Sequence, residues 1–279
     1  DAARKKPRLS AGARGARALR AVARPGAALP MSRAPRGAQF SVAPRGATFS
    51  FAPEGATFLL APGAAAGRCA PMPDFALEAD LIARGTPLVC GVDEVGRGPL
   101  AGPVTAAAVV LEPGCIPGGL DDSKVLDRAT RTRLAAALAE CAEIAVVHVS
   151  VAEIDRINIY HAAHLAMCQA VEALPRRPAH ALVDGNRLPA RLVCDGTPVV
   201  KGDGACLSIA AASIVAKVAR DALMVELAQH HPAYGWETNA GYATQMHLSA
   251  LRDLGPTPEH RRSFAPVRDI LWQGKSASA

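Results

Sequence analysis

The sequence predicts an α/β fold in which helices flank a mixed central sheet. Short apolar runs alternate along the chain with longer segments whose apolar residues recur at helical spacing. The first two runs are joined by a short turn, whereas the later ones are separated by helix-length segments, so antiparallel and parallel strand pairs are both expected. The roughly 200 residues that carry this pattern suit one domain with a sizeable core.

The expected strands are runs rich in Val, Leu and Ala, several of which end at an acidic residue. The helices are inferred from apolar spacing, such as Leu223 with Leu227, and Leu248 with Leu251 and Leu254. Strands are expected near residues 88–93, 103–111, 143–150, 180–184 and 198–201. Helices are expected at residues 128–141, 153–174, 207–230, 241–254 and 265–272.

Residues 1–72 differ in composition from the rest of the chain. They hold twelve Lys and Arg but only two acidic residues, and a nine-residue unit begins to repeat at Ala34. Each unit contains Pro-Xaa-Gly, which breaks helices, and too few aromatic residues to build a core. We therefore expect a disordered low-complexity tail, explained by translation that begins at Met72; an Arg-rich targeting peptide is the alternative. Residues 73–272 are expected to form the folded domain, and residues 273–279 a disordered end.

Net charge does not identify a partner. The chain carries a formal charge of +6 and has a pI of about 9.1, which is typical of nucleic-acid-binding proteins. The excess is confined to residues 1–72, however, because the remainder has 19 basic and 23 acidic residues. A nucleic-acid partner must therefore be argued from local basic residues.

The seven cysteines argue against a sulfur-based metal site or disulfide framework. They are odd in number and contain no Cys-Xaa-Xaa-Cys pair, so neither a zinc site nor a set of disulfides is expected. A reducing compartment, the cytoplasm, fits this pattern. No apolar run is long enough for a secretory signal or a membrane span, so we expect no membrane association.

Two adjacent carboxylates, Asp93 and Glu94, end the first apolar run and precede Gly96, Arg97 and Gly98. Acidic residues are rarely buried unless they are paired or bind a metal. Consecutive strand side chains point to opposite faces, so both carboxylates reach one cation only if the chain twists there. A strand that ends in an acidic hairpin turn is the alternative.

Two further apolar runs end in an Asp-Gly pair, at Asp184 and at Asp203. Either pair alone indicates a plain turn. Together with Asp93 and Glu94 they put four carboxylates at three strand ends, and carboxylate oxygens are the ligands that Mg²⁺ and Mn²⁺ prefer. The sequence therefore predicts a site for a hard divalent cation. Two such ions, bound and bridged by these four residues, would suit phosphodiester hydrolysis.

Eight short motifs follow one another in the part of the chain that carries these acids. They are Asp93–Pro103, Asp121–Lys124, Leu182–Asn186, Lys201–Asp203, Ala211–Asp221, His231–Trp236, Gly241–His247 and Gly255–Phe264. The set closely resembles bacterial ribonuclease HII, the type 2 ribonuclease H that cuts RNA in RNA/DNA hybrids. The resemblance covers roughly Pro73 to Trp272, and eight motifs in register are far more specific than any one of them.

The resemblance implies a ribonuclease H-like fold and a metal-dependent endonuclease that hydrolyses the RNA strand of RNA/DNA hybrids. It also implies cutting at ribonucleotides embedded in duplex DNA, with 5′-phosphate and 3′-hydroxyl ends. The catalytic acids and metal ligands of the family correspond to Asp93, Glu94, Asp184 and Asp203. Asp221 is the rival for the fourth position, but it follows Lys217 in an expected helix, where a local ion pair is the commoner role.

Substrate recognition is implied for a Gly-Arg-Gly turn and a tyrosine, here Gly96, Arg97, Gly98 and Tyr242. Glycine lets backbone groups approach the 2′-hydroxyl that distinguishes RNA from DNA, and an aromatic ring can stack on the adjoining deoxyribose. Phosphate contacts are expected from Ser123, Lys124 and Lys201. Further candidates for contact with nucleic acid are Asn186, Arg261 and Arg262. Ordinary packing or surface roles are expected for His231, His247 and His260.

Three alternatives are less consistent with the sequence. In a phosphate-binding protein without hydrolysis, four carboxylates would repel the ligand unless metal were bound, and the chain has no G-x-x-x-x-G-K-[ST] loop. An inert hybrid-binding module would be expected to lack one of the acids. The sister type, ribonuclease HIII, has a folded N-terminal substrate-binding domain that residues 1–72 do not resemble. The expected partners are therefore an RNA/DNA hybrid and ribonucleotide-containing duplex DNA, bound by a monomer.

Overall fold

Six strands form one mixed sheet, and helices lie against both of its faces. The computed structural model describes residues 38–41 and 72–276, with side chains for residues 72–272. The strands are β1 (Ala38–Ser41), β2 (Val89–Val95), β3 (Val104–Leu111), β4 (Ala142–Val149), β5 (His180–Asp184) and β6 (Asp195–Val199). The helices are α1 (Ala76–Ala83), α2 (Arg128–Cys141), α3 (Val151–Ile157), α4 (Ile159–Glu172), α5 (Leu207–His230), α6 (Trp236–Asn239), α7 (Gln245–Leu254) and α8 (Ala265–Ser276).

The strand order β1-β4-β3-β2-β5-β6 brings the acidic strand ends together. β2 pairs antiparallel with β3, and β3 with β4, whereas β5 is parallel to both β2 and β6. In the β2–β5 pair, Val92 lies opposite Val183. The next residues, Asp93 and Asp184, therefore lie side by side at the carboxyl ends of two parallel strands. The predicted mixed sheet with flanking helices is confirmed.

Both faces of the sheet are covered by apolar residues. All eight residues of β3 are buried, because alternate side chains face opposite layers. Ala106 and Ala108 belong to the cluster that contains α4, whereas Ala107 and Val109 belong to the cluster that contains α2 and α5. Each fully buried Val or Leu contributes about 1.5–3 kcal/mol, so these two apolar layers are the main source of stability.

Helix α5 lies directly against β2 because Gly91 has no side chain. A Cβ at Gly91 would lie 2.1 Å from the backbone carbonyl carbon of Ser208, which is too close for any side chain to fit. Small residues Ala210, Ala211 and Ala212 continue the α5 surface in the core. Since α5 begins shortly after Asp203, this close contact holds that acid near the edge of the sheet.

Two expected helices have different boundaries in the structure. Asn158 divides the helix expected at residues 153–174, because its φ of 68° ends α3 and its side chain accepts a 2.8 Å hydrogen bond from the Tyr160 N–H at the start of α4. The helix expected from residue 241 begins at Gln245. Thr244 caps it, and Ala240 and Gly241 turn the chain in the left-handed region before it.

The expected tail contains one strand that the sequence does not predict. Ala38–Ser41 pairs antiparallel with β4, with Ala38 opposite Val149. These four residues of the expected tail satisfy backbone groups at an otherwise open sheet edge. The rest of residues 1–71 lies outside the described residues. At the other end, α8 extends to Ser276, into the segment expected to be disordered.

The remaining differences concern short elements. The strand expected at residues 198–201 lies at Asp195–Val199, because the chain turns at Lys201, whose φ is 55°. Helices α1 and α6 were not expected, since eight and four residues are too few to show a clear period. Among the residues described, no helix combines the length and apolar character needed to cross a membrane. The six cysteines in this part of the chain form no disulfide bonds.

Candidate functional site

Three carboxylates meet at the carboxyl ends of β2 and β5. Ligand oxygens of Asp93, Glu94 and Asp184 all lie within 4.8 Å of one another. Asp93 is buried, and the Glu94 side chain is only 11% exposed. Asp93 Oδ1 accepts a 2.7 Å hydrogen bond from the Glu94 N–H, which turns the Asp93 side chain toward its neighbour. The structure therefore brings together three of the four acids predicted as metal ligands.

Burial and mutual repulsion disfavour negative charge on this group. Burial, followed by the charges of Glu94 and Asp184, raises the pKa of Asp93 well above its ordinary value. Burial also raises the pKa of Glu94, although the 3.0 Å hydrogen bond from Arg97 Nη1 opposes it. Burial raises the pKa of Asp184 against a 2.8 Å hydrogen bond from the Gly202 N–H. A cation among the three carboxylates would relieve their repulsion.

Asp203, the fourth predicted ligand, lies beside this group and is paired with a lysine. It is buried in a single 3-10 turn before α5. Asp203 Oδ2 accepts a 2.8 Å hydrogen bond from Lys124 Nζ. Burial lowers the pKa of Lys124, but the hydrogen bond with Asp203 and the charge of Asp203 together raise it by more, so the net shift is upward. The Asp203 charge also contributes to the raised pKa values of Asp93 and Asp184, although burial and other neighbouring groups have larger effects.

The donor set fits a hard divalent cation. Every donor is a carboxylate oxygen, the ligand type that Mg²⁺ and Mn²⁺ prefer. Glu94 Oε2 is buried and has no hydrogen-bond partner among the described residues. A buried acceptor of this kind is costly unless something donates to it or binds it. Asp93, Glu94 and Asp184 can therefore hold a cation, with Asp203 as the adjoining carboxylate.

The residues predicted to read the substrate lie against one another beside the acids. Gly96 has a φ of 90°, and a Cβ there would lie 2.2 Å from Arg220 Nε, so the position requires glycine. A Cβ at Gly98 would lie 3.4 Å from Tyr242 Cε1, which places the tyrosine ring at this turn. Arg97 and Tyr242 are exposed. We call the Gly96–Gly98 turn together with Tyr242 the reading wall.

The predicted phosphate contacts differ in exposure. Lys124 and Lys201 are both exposed. The Ser123 hydroxyl, in contrast, is buried and lies 2.8 Å from the hydroxyl of Ser213. Arg131 of α2 holds this loop by donating a 2.8 Å hydrogen bond to the Ser123 carbonyl. The Ser123 side chain therefore faces the interior, and its assignment as a phosphate contact stays a prediction without support from its position.

Arg261, proposed from the sequence as a contact with nucleic acid, requires a correction. Its side chain is fully buried and donates to backbone carbonyls, including that of Gly96 at 2.6 Å. A guanidinium enclosed in this way cannot reach a nucleic acid at the surface. The other two candidates, Asn186 and Arg262, are exposed.

Asp221 and the histidines have structural partners. Asp221 Oδ1 lies 2.8 Å from Lys217 Nζ, one helical turn away, which is the local ion pair that the sequence favoured. His247 and His260 are buried and joined by a 3.1 Å hydrogen bond between their Nε2 atoms. The His231 ring packs edge-on against the Trp236 ring at 5.4 Å. The expectation of ordinary packing roles for the histidines is consistent with these contacts.

Arg220, which lies beneath the reading wall, is a residue that the sequence did not predict for the site. Arg220 is fully buried in α5, where its Nε donates a 3.0 Å hydrogen bond to Pro103 O. One signal was present. Arg220 follows Ala212 and Ala216 at intervals of four, so it falls on the apolar face of the helix. A charged residue in that phase indicates a buried hydrogen-bonding role.

Comparison with known proteins gives one family. The family model of ribonuclease HII matches residues 90–267. The ribonuclease HII of Cereibacter sphaeroides (strain ATCC 17029) is 60% identical over 206 residues, which cover 74% of this chain and 97% of that protein. The ribonuclease HII of Paracoccus denitrificans (strain Pd 1222) is 59% identical over 206 residues, covering 74% and 98%.

A solved structure is similar in fold as well. The crystal structure of ribonuclease H2 from Pyrococcus horikoshii OT3 superposes with a TM-score of 0.58 at 27% identity. The match covers 67% of this chain and 99% of that one. The ribonuclease H-like architecture expected from the motifs is thus found in the fold.

Proposed function

Since this chain belongs to the ribonuclease HII family, the metal-dependent endoribonucleases that act on RNA/DNA hybrids, we propose that it also cuts at single ribonucleotides embedded in duplex DNA. In the proposed reaction a water oxygen adds to phosphorus and the bond from phosphorus to O3′ breaks. The products carry a 5′-phosphate and a 3′-hydroxyl. The observation that supports hydrolysis best is the group of Asp93, Glu94 and Asp184, whose oxygens lie within 4.8 Å of one another.

Two divalent ions, Mn²⁺ or Mg²⁺, are the proposed cofactors. When bound, such ions activate water and stabilise the charge that develops on the phosphate. The residues proposed to hold them are Asp93, Glu94, Asp184 and Asp203. The hydrogen bonds from the Glu94 and Gly202 N–H groups fix the orientation of Asp93 and Asp184, so that the carboxylates need little rearrangement. This orientation supports the proposed role of the acids in catalysis.

The reading wall is the proposed site of substrate discrimination. Gly98 is exposed and leaves the backbone of the turn open to a 2′-hydroxyl. Gly96 lets the turn pack on Arg220, and Arg97 is held toward Glu94 by a 3.0 Å ion pair. The half-exposed Tyr242 ring, next to Gly98, is the proposed stacking surface for the deoxyribose on the 3′ side. Lys124 and Lys201 are the proposed phosphate contacts.

The alternatives have less support. Ribonuclease HIII is disfavoured, since the matching family model and the relatives near 60% identity are ribonuclease HII. Binding without hydrolysis is disfavoured, since all four acids are present and three of them converge. A monomer and a cytoplasmic location stay predictions.

Incubation with two duplexes tests the proposal. One duplex contains a single ribonucleotide within otherwise DNA strands, and the matched duplex contains none. We expect cleavage of the first duplex only, in Mn²⁺ or Mg²⁺ and not in EDTA, with a product 5′-phosphate detected by ligation. Cleavage of a long RNA/DNA hybrid without cleavage of the single-ribonucleotide duplex would refute incision at embedded ribonucleotides. Cleavage in EDTA would refute the metal role.

A further inference from the structure

Arg220 ties together two segments that are distant in sequence. Its Nε donates to Pro103 O (3.0 Å) and its Nη2 to Ala101 O (3.2 Å), both in the loop that follows the Gly96–Gly98 turn. Its Nη1 donates to Ala240 O (3.0 Å), two residues before Tyr242. Because a guanidinium is planar and rigid, its three donors fix the distance between the two segments.

Arg261 holds only one of these segments. Its Nη2 donates to Gly96 O (2.6 Å) and Pro103 O (3.1 Å), its Nη1 to Arg97 O (3.0 Å) and its Nε to Gly102 O (2.9 Å). All four acceptors belong to the turn and the loop after it. Arg261 therefore shapes the turn, whereas Arg220 joins the turn to the tyrosine segment.

Burying the charges of these two arginines costs desolvation energy. All their hydrogen bonds within the described part of the chain go to backbone carbonyls rather than to carboxylates. Burial lowers the pKa of Arg220 to about 10, and burial with the Arg220 charge lowers that of Arg261 to about 9. Both remain charged at neutral pH. Apolar side chains in their place would leave these buried carbonyls without donors, so the two arginines satisfy the carbonyls around them and fix their positions.

The joined segments make up the reading wall. The Leu100 N–H donates to Gly241 O (2.8 Å), and the Tyr242 ring lies at Gly98. Gly96 contacts the Arg220 side chain so closely that it cannot carry a Cβ. The Gly96–Gly98 turn and the segment before Tyr242 therefore both contact the Arg220 guanidinium.

We infer that Arg220 is a positioning residue that sets the spacing between the Gly96–Gly98 turn and Tyr242, and with it the preference for a ribonucleotide followed by a deoxyribonucleotide. This inference rests on the proposed function. Arg261 serves as the matched comparison, because it supports the turn without touching the tyrosine segment.

The test measures kcat/KM on two substrates, a duplex with one embedded ribonucleotide and an all-RNA strand paired with DNA. The ratio is kcat/KM on the embedded ribonucleotide divided by kcat/KM on the all-RNA strand. Arg220→Lys keeps the charge but cannot reach three carbonyls, so this ratio should fall about tenfold, the size of one lost charged hydrogen bond. Arg261→Lys should lower both values and leave the ratio unchanged. In a double-mutant cycle, Arg220→Lys should change the ratio little once Tyr242→Ala is present.

Each outcome decides the inference. An unchanged ratio in folded Arg220→Lys, or effects that add to those of Tyr242→Ala, would overturn it. If Arg220→Lys does not fold, Arg220→Gln replaces it, and failure of both to fold would make Arg220 a residue of the fold alone. If the unsubstituted protein does not cut the embedded ribonucleotide, the proposed function fails instead. The rise in melting temperature with Mn²⁺ should stay unchanged in both arginine variants, since neither contacts the carboxylates.

Discussion

Lys124 Nζ lies 2.8 Å from Asp203 Oδ2, so a proposed phosphate contact and a proposed metal ligand neutralise each other. The lysine side chain is 75% exposed, whereas that of the aspartate is 10% exposed. A cation that binds Asp203 must compete with the ammonium group, and its binding would release Lys124 toward solvent. Metal binding and substrate binding are therefore expected to be linked through this pair.

Lys124→Ala should strengthen Mn²⁺ binding and weaken hybrid binding. Without the lysine, Asp203 has lost a competing cation. A pair with one solvent-exposed partner contributes about 0.4–1 kcal/mol, or two- to fivefold in affinity. The hybrid loses a phosphate contact, so its KM should rise. Mn²⁺ affinity is measured from the melting temperature as a function of metal concentration.

Two matched variants separate the effects. Lys201→Ala removes an exposed lysine of the same turn that is not bonded to Asp203, so it should raise KM without changing Mn²⁺ affinity. Lys124→Arg keeps the charge and should stay near the unsubstituted protein in both measurements. Weaker Mn²⁺ binding in Lys124→Ala would contradict the linkage.

Asp93→Asn should abolish cleavage and stabilise the metal-free protein. The pKa of Asp93 is raised on folding, so this carboxyl stabilises the fold only when protonated, and that stability is lost as pH rises through the raised pKa. At pH 7, above the ordinary pKa of an aspartate, this carboxyl therefore costs stability, and asparagine removes that cost. We expect a melting temperature higher by at least about 2 °C in EDTA, and little further rise with Mn²⁺. Equal loss of activity and stability would indicate a structural carboxylate.

Asp221→Asn is the control for this experiment. It neutralises a carboxylate of another of the eight motifs, one that is paired with Lys217 on α5. Cleavage should persist, and stability should fall by about 0.3–0.5 kcal/mol through loss of the helical ion pair. Loss of cleavage in this variant would place Asp221 at the site.

The sequence predicted the sheet and the acidic group because both follow from local pattern. Apolar runs that end in Asp93 and Asp184 indicated strand ends, and parallel pairing makes the carboxyl ends of such strands meet at one edge. Asp203 was assigned by the same reasoning, and it lies next to the group although it is paired with Lys124.

What the sequence did not predict depends on contacts between distant segments. Arg220 bonds to a carbonyl 117 residues away, and Arg261 to one 165 residues away. Their acceptors are backbone groups, which any sequence offers, so no residue pattern identifies them. The break at Asn158 is different in kind, because an asparagine before a helical run is a recognised cap signal that the long apolar period concealed.

A protein that begins at Met72 should fold and cleave like the full chain. β4 would lose its pairing with Ala38–Ser41 but keep its eight-residue register with β3. The removed residues carry twelve basic and two acidic side chains, so hybrid binding should weaken at low salt, and the difference should vanish at high salt. Binding measured over a salt series checks this. A shortened protein that is insoluble or inactive would contradict the domain boundary.

The backbone carbonyl of Tyr242 is also bound by His247, which forms a pair of neutral histidines with His260. His247 Nδ1 donates to Tyr242 O (2.9 Å), so its Nε2 accepts from Trp236 Nε1 and from His260 Nε2, each at 3.1 Å. His260 Nδ1 accepts from the Thr257 N–H at 3.0 Å. Each ring nitrogen thus has a fixed role that protonation would break.

Acid should therefore weaken the fold through this pair. Burial, followed by the charges of His247 and His231, lowers the pKa of His260 from 6.5 to about 3. A histidine with a lowered folded pKa contributes stability that is complete above pH 6.5 and is lost as pH falls toward 3, by up to about 1.4 kcal/mol per pH unit. Asp93, Glu94 and Asp184 act in the opposite direction, because their pKa values are raised.

Comparison with His260→Gln isolates the histidine from the carboxylates. Glutamine can still accept from Thr257 and donate to His247, but it does not titrate, while the carboxylates are common to both proteins and cancel. The free energy of unfolding is measured by urea denaturation between pH 5 and 8. The advantage of the unsubstituted protein over the variant should be constant above pH 7 and should shrink by about 1.4 kcal/mol per pH unit below 6.5. Parallel curves over the whole range would mean that the pKa of His260 is the same in the folded and the unfolded protein, which would contradict a neutral, hydrogen-bonded His260 in the fold.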